Sequence, residues 1–203
     1  DVPGMYTANP RHIPSAKLLR ELGYDEAQEI ASSGAKVLHP RCIAPVRQYG
    51  IPMHIRCTQR PQLEGTVIRE SARAGSGPEV KAVAMRSGVT LISMDTPGMW
   101  QQVGFMADLF ACFKANGLSV DMVSTSEMNV TVSLDPAVNV LDDTVLQSLL
   151  EDLQPLCATR VIGPCSAISL VGSGIRAILH RLGPAFEVFE QQKIHLLSQA
   201  ASD

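Results

Sequence analysis

Apolar residues along the chain switch between helical and strand-like spacing, and the switches divide it into elements. A helix is predicted over 25–33, with Asp25 or Tyr24 at its start and Gly34 able to supply a left-handed stop. Pro40 can open a second helix that runs to Gln48 and closes at Gly50. The runs 51–57 and 66–68 read as short strands. From 69 to 79 the periodicity is lost, and Gly75, Gly77 and Pro78 mark a linker.

Beyond the linker, 80–86 and 89–94 are predicted as two short strands. Val103, Met106, Phe110 and Phe113 then recur on one helical stripe, with Asn116-Gly117 as its stop. Leu118, Val120 and Met122 alternate with Ser119, Asp121 and Val123, the period of a strand, and Val130, Val132 and Leu134 repeat it. Val145, Leu146, Leu149, Leu150 and Leu153 form a second helical stripe, and 157–162 closes as a strand. The order β-α-β-β-α-β packs two helices on one face of an antiparallel sheet. An incomplete second copy follows: a strand over 167–171, a turn at Gly172 and Gly174, a helix from Pro184 carrying Phe186 and Phe189, and a strand over 194–198.

A hydrophobic share of 45% against 18% charged residues is that of a folded protein, and with aromatics at 4% the cores must be aliphatic. A net charge of −3, without basic stretches interleaved with aromatics, leaves no field for nucleic acid or acidic lipid. No apolar run is long enough to span a bilayer, so neither nucleic acid nor a membrane is expected as a partner. The five cysteines lack C-x-x-C pairing or histidines at ligand spacing, which fits reduced thiols in the cytoplasm and no metal site in this segment. The start at Asp1-Val2-Pro3-Gly4, without methionine, and the end at Asp203 right after a strand-like run both read as those of a fragment.

Two constellations carry chemistry. The first is a loop offering a carboxylate, a phenol and a guanidinium, followed by Gly34-Ala35-Lys36-Val37-Leu38-His39-Pro40. Cations that offset phosphate charge and a glycine that admits close backbone approach suit a polyphosphate nucleotide. A surface loop with solvated Arg and Lys is the competing reading. The second combines Gly104-Phe105 at a helix start, which suits a small carboxylate, with Asp121 and Glu127 on the following strands, which could hold ammonium groups. A solvent-facing strand acid and a turn acid are the alternative there.

The strings D-V-P-G-M-Y-T-A-N-P-R, Y-D-E-A-Q-E-I-A-S-S-G-A-K-V-L-H-P, I-P-M-H-I-R and E-G-T-V-I, spread over 1–68, resemble the C-terminal half of the aspartokinase catalytic domain. The resemblance implies that ATP, the co-substrate, lies against Asp1, Tyr6, Arg11, Lys36 and Val37, with Lys36 either on the adenine side or neutralising phosphate. Mg²⁺ is implied by the chemistry. The family's Lys-x-Gly-Gly-Thr-Ser motif and aspartate-binding residues lie upstream of this chain. No catalytic residue is therefore assigned, and the segment alone is expected to be inactive. His39, beside Pro40 at a helix start, is read as structural.

G-F-M-A-D-L-F, L-S-V-D-M-V-S-T-S-E and V-T-V-S-L-D resemble the ACT regulatory region of aspartokinases, and S-V-D with T-S-E resembles lysine-sensitive members. This implies an effector site of Met99, Gly104, Phe105, Ser119, Asp121, Thr125, Ser126 and Glu127, and a homodimer formed through ACT units. Gln102 stands where lysine-sensitive relatives carry a smaller polar residue. The run I-S-L-V-G-S-G-I-R-A-I-L-H-R-L-G-P-A-F-E-V-F resembles the second ACT unit of aspartokinases fused to diaminopimelate decarboxylase. ACT units in the family interlock, which opens 80–95 to pairing with 165–199.

The expected fold is thus α/β (α+β): the C-terminal, ATP-side part of an amino-acid-kinase α/β domain over 1–68, a linker over 69–79, a ferredoxin-like βαββαβ ACT region over 80–163, and a truncated second ACT unit over 164–203. The expected function is part of a kinase that phosphorylates L-aspartate to 4-phospho-L-aspartate with ATP, in lysine, threonine and methionine biosynthesis. Feedback comes from an allosteric amino acid, lysine favoured. A stand-alone amino-acid-binding ACT protein without catalysis is the alternative, though a pure sensor has no use for D-V-P-G-M-Y or G-A-K-V-L-H-P.

Overall fold

The computed structural model describes residues 2–35, 37–70, 79–97, 99 and 101–198. The predicted linker signals Gly75, Gly77 and Pro78 lie outside them. Two compact units are present, one built mainly from Asp1–Arg86 and Ile168–Glu190, the other mainly from Ser87–Ala167.

In the first unit β1 (Glu21–Gly23), β2 (Met53–Ile55) and β3 (Thr66–Arg69) form a sheet in the order β1-β3-β2. β1 runs parallel to β3, and β2 runs antiparallel to it. Helix α1 (Tyr24–Ser32) follows β1 directly. Glu26 Oε2 accepts the N–H of Gly23 at 2.9 Å, the reciprocal half of a capping box, and Asp25 and Glu26 place negative charge in the first turn. Tyr24, Ala27, Ile30 and Ala31 form its buried stripe, and the chain leaves the helix through Gly34 at φ +106°. A 3-10 turn over Pro40–Cys42 leads into α2 (Ile43–Gln48). Met5, Leu22, Ile43 and Ile68 complete this core with α1. Gly4 is required by close approach, since a Cβ there would collide with Thr66 Oγ1 and Leu18.

The long strand β4 (Glu79–Asp95) contributes Ala82 to the first core. Beside it, Lys81 Nζ lies 2.6 Å from Glu26 Oε1, with both side chains largely withdrawn from solvent. The two oxygens of Glu26 thus serve a helix cap and an ion pair. Removing either partner would leave a charge poorly compensated.

The second unit continues β4 through α3 (Phe105–Ala115), β5 (Val123–Thr125), β6 (Asn129–Leu134), α4 (Asp143–Leu153) and β7 (Ala158–Ser173). The sheet order is β5-β6-β4-β7, with β6 antiparallel to both β4 and β5. Ile92, Met94, Val130, Val132 and Leu134 face Phe105, Leu109 and Phe113 of α3 and Leu149 and Leu153 of α4 in one core. Asp142 caps α4, its Oδ1 accepting Val145 N–H at 2.8 Å. Helix α3 stops at Asn116-Gly117, with Gly117 at φ +67°. The β-α-β-β-α-β order is the expected one.

Several details differ from the sequence reading. The two strands predicted over 80–86 and 89–94 are one, because Gly88 takes φ +78° without ending the strand. The runs 157–162 and 167–171 likewise belong to the single strand β7. Val103 is fully exposed ahead of α3, and the buried stripe is Phe105, Leu109 and Phe113, which shifts the helical face. Residues 118–122 are not strand, since side chains take up part of their backbone hydrogen bonding. No strand forms over 194–198, where alternation has no partner edge among the described residues. The three-residue β1, too short to show a period, was not predicted. The helix from Pro184 is present as α5 (Gly183–Gln191), with Phe186 and Phe189 edge to face at 6.0 Å.

Thr66 is wholly buried, accepts Met5 N–H at 2.8 Å and donates to the Leu19 carbonyl at 2.7 Å. Thr66→Val keeps the shape and strands both backbone groups, so chemical denaturation should show a loss of about 1–3 kcal/mol.

Candidate functional site

The candidate nucleotide strip sits on the loop ahead of β1 and the segment after α1. Met5 N–H is tied to Thr66, Leu19 N–H donates to the Met5 carbonyl at 2.8 Å and Thr7 N–H to the Lys17 carbonyl at 2.9 Å, so the loop is fixed on both sides of Tyr6. Tyr6 bridges to Leu18 and is half-buried. It lines an open cleft of about 390 Å³ with Pro3, Leu18, Gln62, Leu63 and Glu64. Arg11 is exposed on a turn where its N–H donates to Asn9 Oδ1 at 3.0 Å, leaving the guanidinium facing solvent. Val37 packs against the first core, so only its backbone is available to a ligand. Neither Arg11 nor Val37 lines the cleft beside Tyr6. Asp1 and Lys36 lie outside the described residues. His39 Nδ1 accepts Arg41 N–H at 3.2 Å, so its ring caps the 3-10 turn, as a structural role requires.

The candidate effector strip belongs to the second unit. Thr96 N–H donates to the Met128 carbonyl at 2.8 Å, and Met99 N–H to the Thr96 carbonyl at 3.0 Å. These bonds join the loop after β4 to the turn between β5 and β6. Gly104, at φ +88°, opens α3, where its carbonyl accepts Ala107 and Asp108 N–H. A side chain at Gly104 would meet nothing within 4 Å, so the glycine serves the backbone conformation and not a tight contact. The Phe105 ring is 4% exposed in the core, and Met99 packs against the same cluster, so both offer a ligand mainly backbone. Ser119, Asp121, Thr125, Ser126 and Glu127 are exposed. Asp121 N–H donates to the Ser133 carbonyl at 3.0 Å, and Thr125 faces Val130 across β5 and β6. Two acids and three hydroxyls therefore lie exposed on and around β5.

Sequence reasoning missed several residues that shape these strips. Gln62, Leu63 and Glu64 line the cleft at Tyr6, although they lie in a loop with no periodic signal. Asn129 and Asn139 bond the backbone of the effector segments. Asn139 closes the turn-forming string Asp135-Pro-Ala-Val-Asn139, which was the available clue.

All five cysteines are free. Burial pushes the Cys112 thiol up, and the Asp152 carboxylate adds to the shift. Burial does the same to Cys157, with Cys112 and Asp95 adding to it. Among the described residues, no group of three or more His, Cys, Asp or Glu could hold a metal ion, and no helix is long and apolar enough to cross a membrane.

Known proteins match both strips. The amino acid kinase family matches residues 1–57, and an ACT domain matches residues 92–141. Lysine-sensitive aspartokinase 3 of Escherichia coli is 32% identical across the whole chain, which covers 45% of that protein. Aspartokinase 2, chloroplastic, of Arabidopsis thaliana is 34% identical, again across the whole chain and 38% of its own length. By sequence and fold the chain is similar to aspartokinases along its whole length. E. coli aspartokinase III in complex with aspartate and ADP (R-state) superposes over the whole chain with a TM-score of 0.85 at 33% identity, covering 45% of that chain. The same enzyme in complex with lysine and aspartate (T-state) gives 0.80 over the same extent. The chain spans under half the length of these aspartokinases.

Because the thiolate is the reactive form, raised thiols react slowly. Alkylation at neutral pH followed by peptide mass mapping should modify exposed Cys42 well before Cys112 and Cys157.

Proposed function

We propose that this chain is the ATP-side and regulatory part of an aspartate kinase, an enzyme that transfers the γ-phosphoryl group of ATP to the side-chain carboxylate of L-aspartate. The observation that carries the reading is that one uninterrupted match to aspartokinases joins the amino acid kinase segment to the ACT segment. The reaction needs the nucleotide held in line and its charge offset more than it needs covalent help. Tyr6 would flank the base or sugar, the exposed Arg11 guanidinium would meet phosphate oxygens, and the backbone at Val37, with Asp1 and Lys36, would complete the strip. Mg²⁺ would supply charge neutralisation on the phosphates. The described residues do not form a cluster to hold it.

The ACT part would bind a feedback amino acid, with lysine favoured. Support comes from the S-V-D and T-S-E segments, exposed on and around β5, and from the relatives described as lysine-sensitive and lysine-complexed. The start of α3 would receive the α-carboxylate, and Asp121 and Glu127 would receive ammonium groups. Two copies would pair through their ACT regions in the cytoplasm. The chain would divide at 1–68, 69–79, 80–163 and 164–203.

The nucleotide half is tested in a protein that joins this chain to an amino acid kinase front half. Tyr6→Ala and Arg11→Ala should each raise the KM for ATP about tenfold or more in an aspartyl-hydroxamate assay. An unchanged KM in both would remove them from the site. For the regulatory half, saturating lysine should raise the midpoint of thermal unfolding by linkage. Asp121→Ala should weaken lysine about tenfold by calorimetry while moving the ligand-free midpoint little, as expected for an exposed residue. Tighter binding of threonine than of lysine would sink the effector assignment.

A further inference from the structure

The segment Ser119–Met122 lies along the effector strip without being a strand, and backbone pairing with β6 holds only its Asp121–Met122 end, where Asp121 N–H donates to the Ser133 carbonyl at 3.0 Å. Asn139, 6% exposed, holds the Ser119 end: its Oδ1 accepts Ser119 N–H at 2.7 Å. Its Nδ2 donates to the Ser119 carbonyl at 3.0 Å and to the Asp135 carbonyl at 3.1 Å. The side-chain amide thereby pairs with residue 119 as a neighbouring strand's peptide group would. At the Met122 end Ser133 accepts Met122 N–H on Oγ at 3.0 Å and donates its own N–H to the Met122 carbonyl at 2.9 Å. Asp121 therefore leaves a backbone pinned on both sides.

The turn carrying Ser126 and Glu127 closes on the backbone of a second asparagine, whose side chain ties that closing residue to β4. Asn129 N–H donates to Ser126 Oγ at 3.1 Å, and its carbonyl accepts Ser126 N–H at 2.8 Å. Its side-chain amide donates to Asp95 Oδ1 at 2.8 Å and Ser93 Oγ at 3.1 Å on β4. Its Oδ1 accepts from Thr131 Oγ1 at 2.9 Å. The turn is thus fastened to the neighbouring strand through one residue whose amide uses both its donor and its acceptor.

We propose that Asn139 and Asn129 are positioning residues of the effector strip, which set the spacing between the Asp121 and Glu127 carboxylates and hence which amino acid is selected. This rests on the reading of that strip as an amino-acid site. A diamino acid must bring its two ammonium groups to carboxylates held at one definite separation, whereas a short hydroxy amino acid, with one ammonium group, makes no such demand. Loosening either segment should therefore cost lysine more than threonine.

The test is calorimetry with lysine and with threonine on the whole chain, using Asn129→Ala, Asn129→Asp and Asn139→Asp. Asn129→Asp keeps the acceptor for Thr131, removes both donors and sets a carboxylate against Asp95. Asn139→Asp keeps the acceptor for Ser119 N–H and loses the two donors, a milder change than truncating a buried residue. Each variant should weaken lysine about tenfold and shrink the lysine-to-threonine preference by a similar factor. Unchanged lysine affinity in all three would overturn the inference. So would parallel losses for both amino acids, which point to general loosening. Failure of the unsubstituted chain to bind either amino acid would overturn it together with the reading it rests on, whereas failure of the variants alone leaves that reading standing.

Discussion

Backbone N–H and C=O groups that are withdrawn from water must find partners, and the irregular segments of this protein satisfy that demand with side chains. Thr66 serves Met5 and Leu19, Glu26 serves Gly23, His39 serves Arg41, Asp142 serves Val145, Asn139 serves Ser119 and Ser126 serves Asn129. Each bond contributes modestly when made and costs more when one partner is removed. The loop that holds Tyr6 and the segments that hold Asp121 and Glu127 combine these side-chain bonds with a few backbone ones, such as Leu19 N–H to the Met5 carbonyl and Asp121 N–H to the Ser133 carbonyl.

A division of labour follows within each strip. Residues whose side chains are committed to a core, Val37 in the first unit and Phe105 and Met99 in the second, can meet a ligand chiefly through backbone. Arg11 and Asp121, whose backbone N–H groups are held by other residues, and Glu127 are exposed. Charge placed this way can exchange water for phosphate or ammonium without first breaking a packed core. The buried contact of Lys81 with Glu26 is of the opposite kind, since its charges are spent on structure.

Much of the fold was legible because helices announce their ends locally. Gly34, Gly104 and Gly117 all adopt the left-handed backbone where a stop or start was read, and the acids at 25 and 26 open α1. Strand limits were less legible. A period of two gives the faces of a strand but not its extent, so β4 and β7 were each divided in two, and the alternating 194–198 was read as a strand that the structure lacks. The misplaced stripe at Val103 has a similar origin: apolar spacing also fits a helix begun two residues early, until Gly104 turns the chain. Of the candidate sites, motif residues could be named from the chain itself, whereas Gln62, Asn129 and Asn139 carry no local signature of their long-range partners.

The amino-acid sequence by itself determined the β-α-β-β-α-β order of the second unit, the glycines at several helix ends and the motifs that resemble aspartokinase. These depend on residues within a few positions of one another, where propensity and dihedral preference act directly. Only the tertiary structure decided that β4 passes Gly88 unbroken, that Phe105 turns inward while Asp121 is exposed, and that the Asn139 side chain pairs with residue 119 where no strand does. Those outcomes depend on which distant groups compete for the same hydrogen bonds and the same buried volume, and the competition is settled when the whole chain packs.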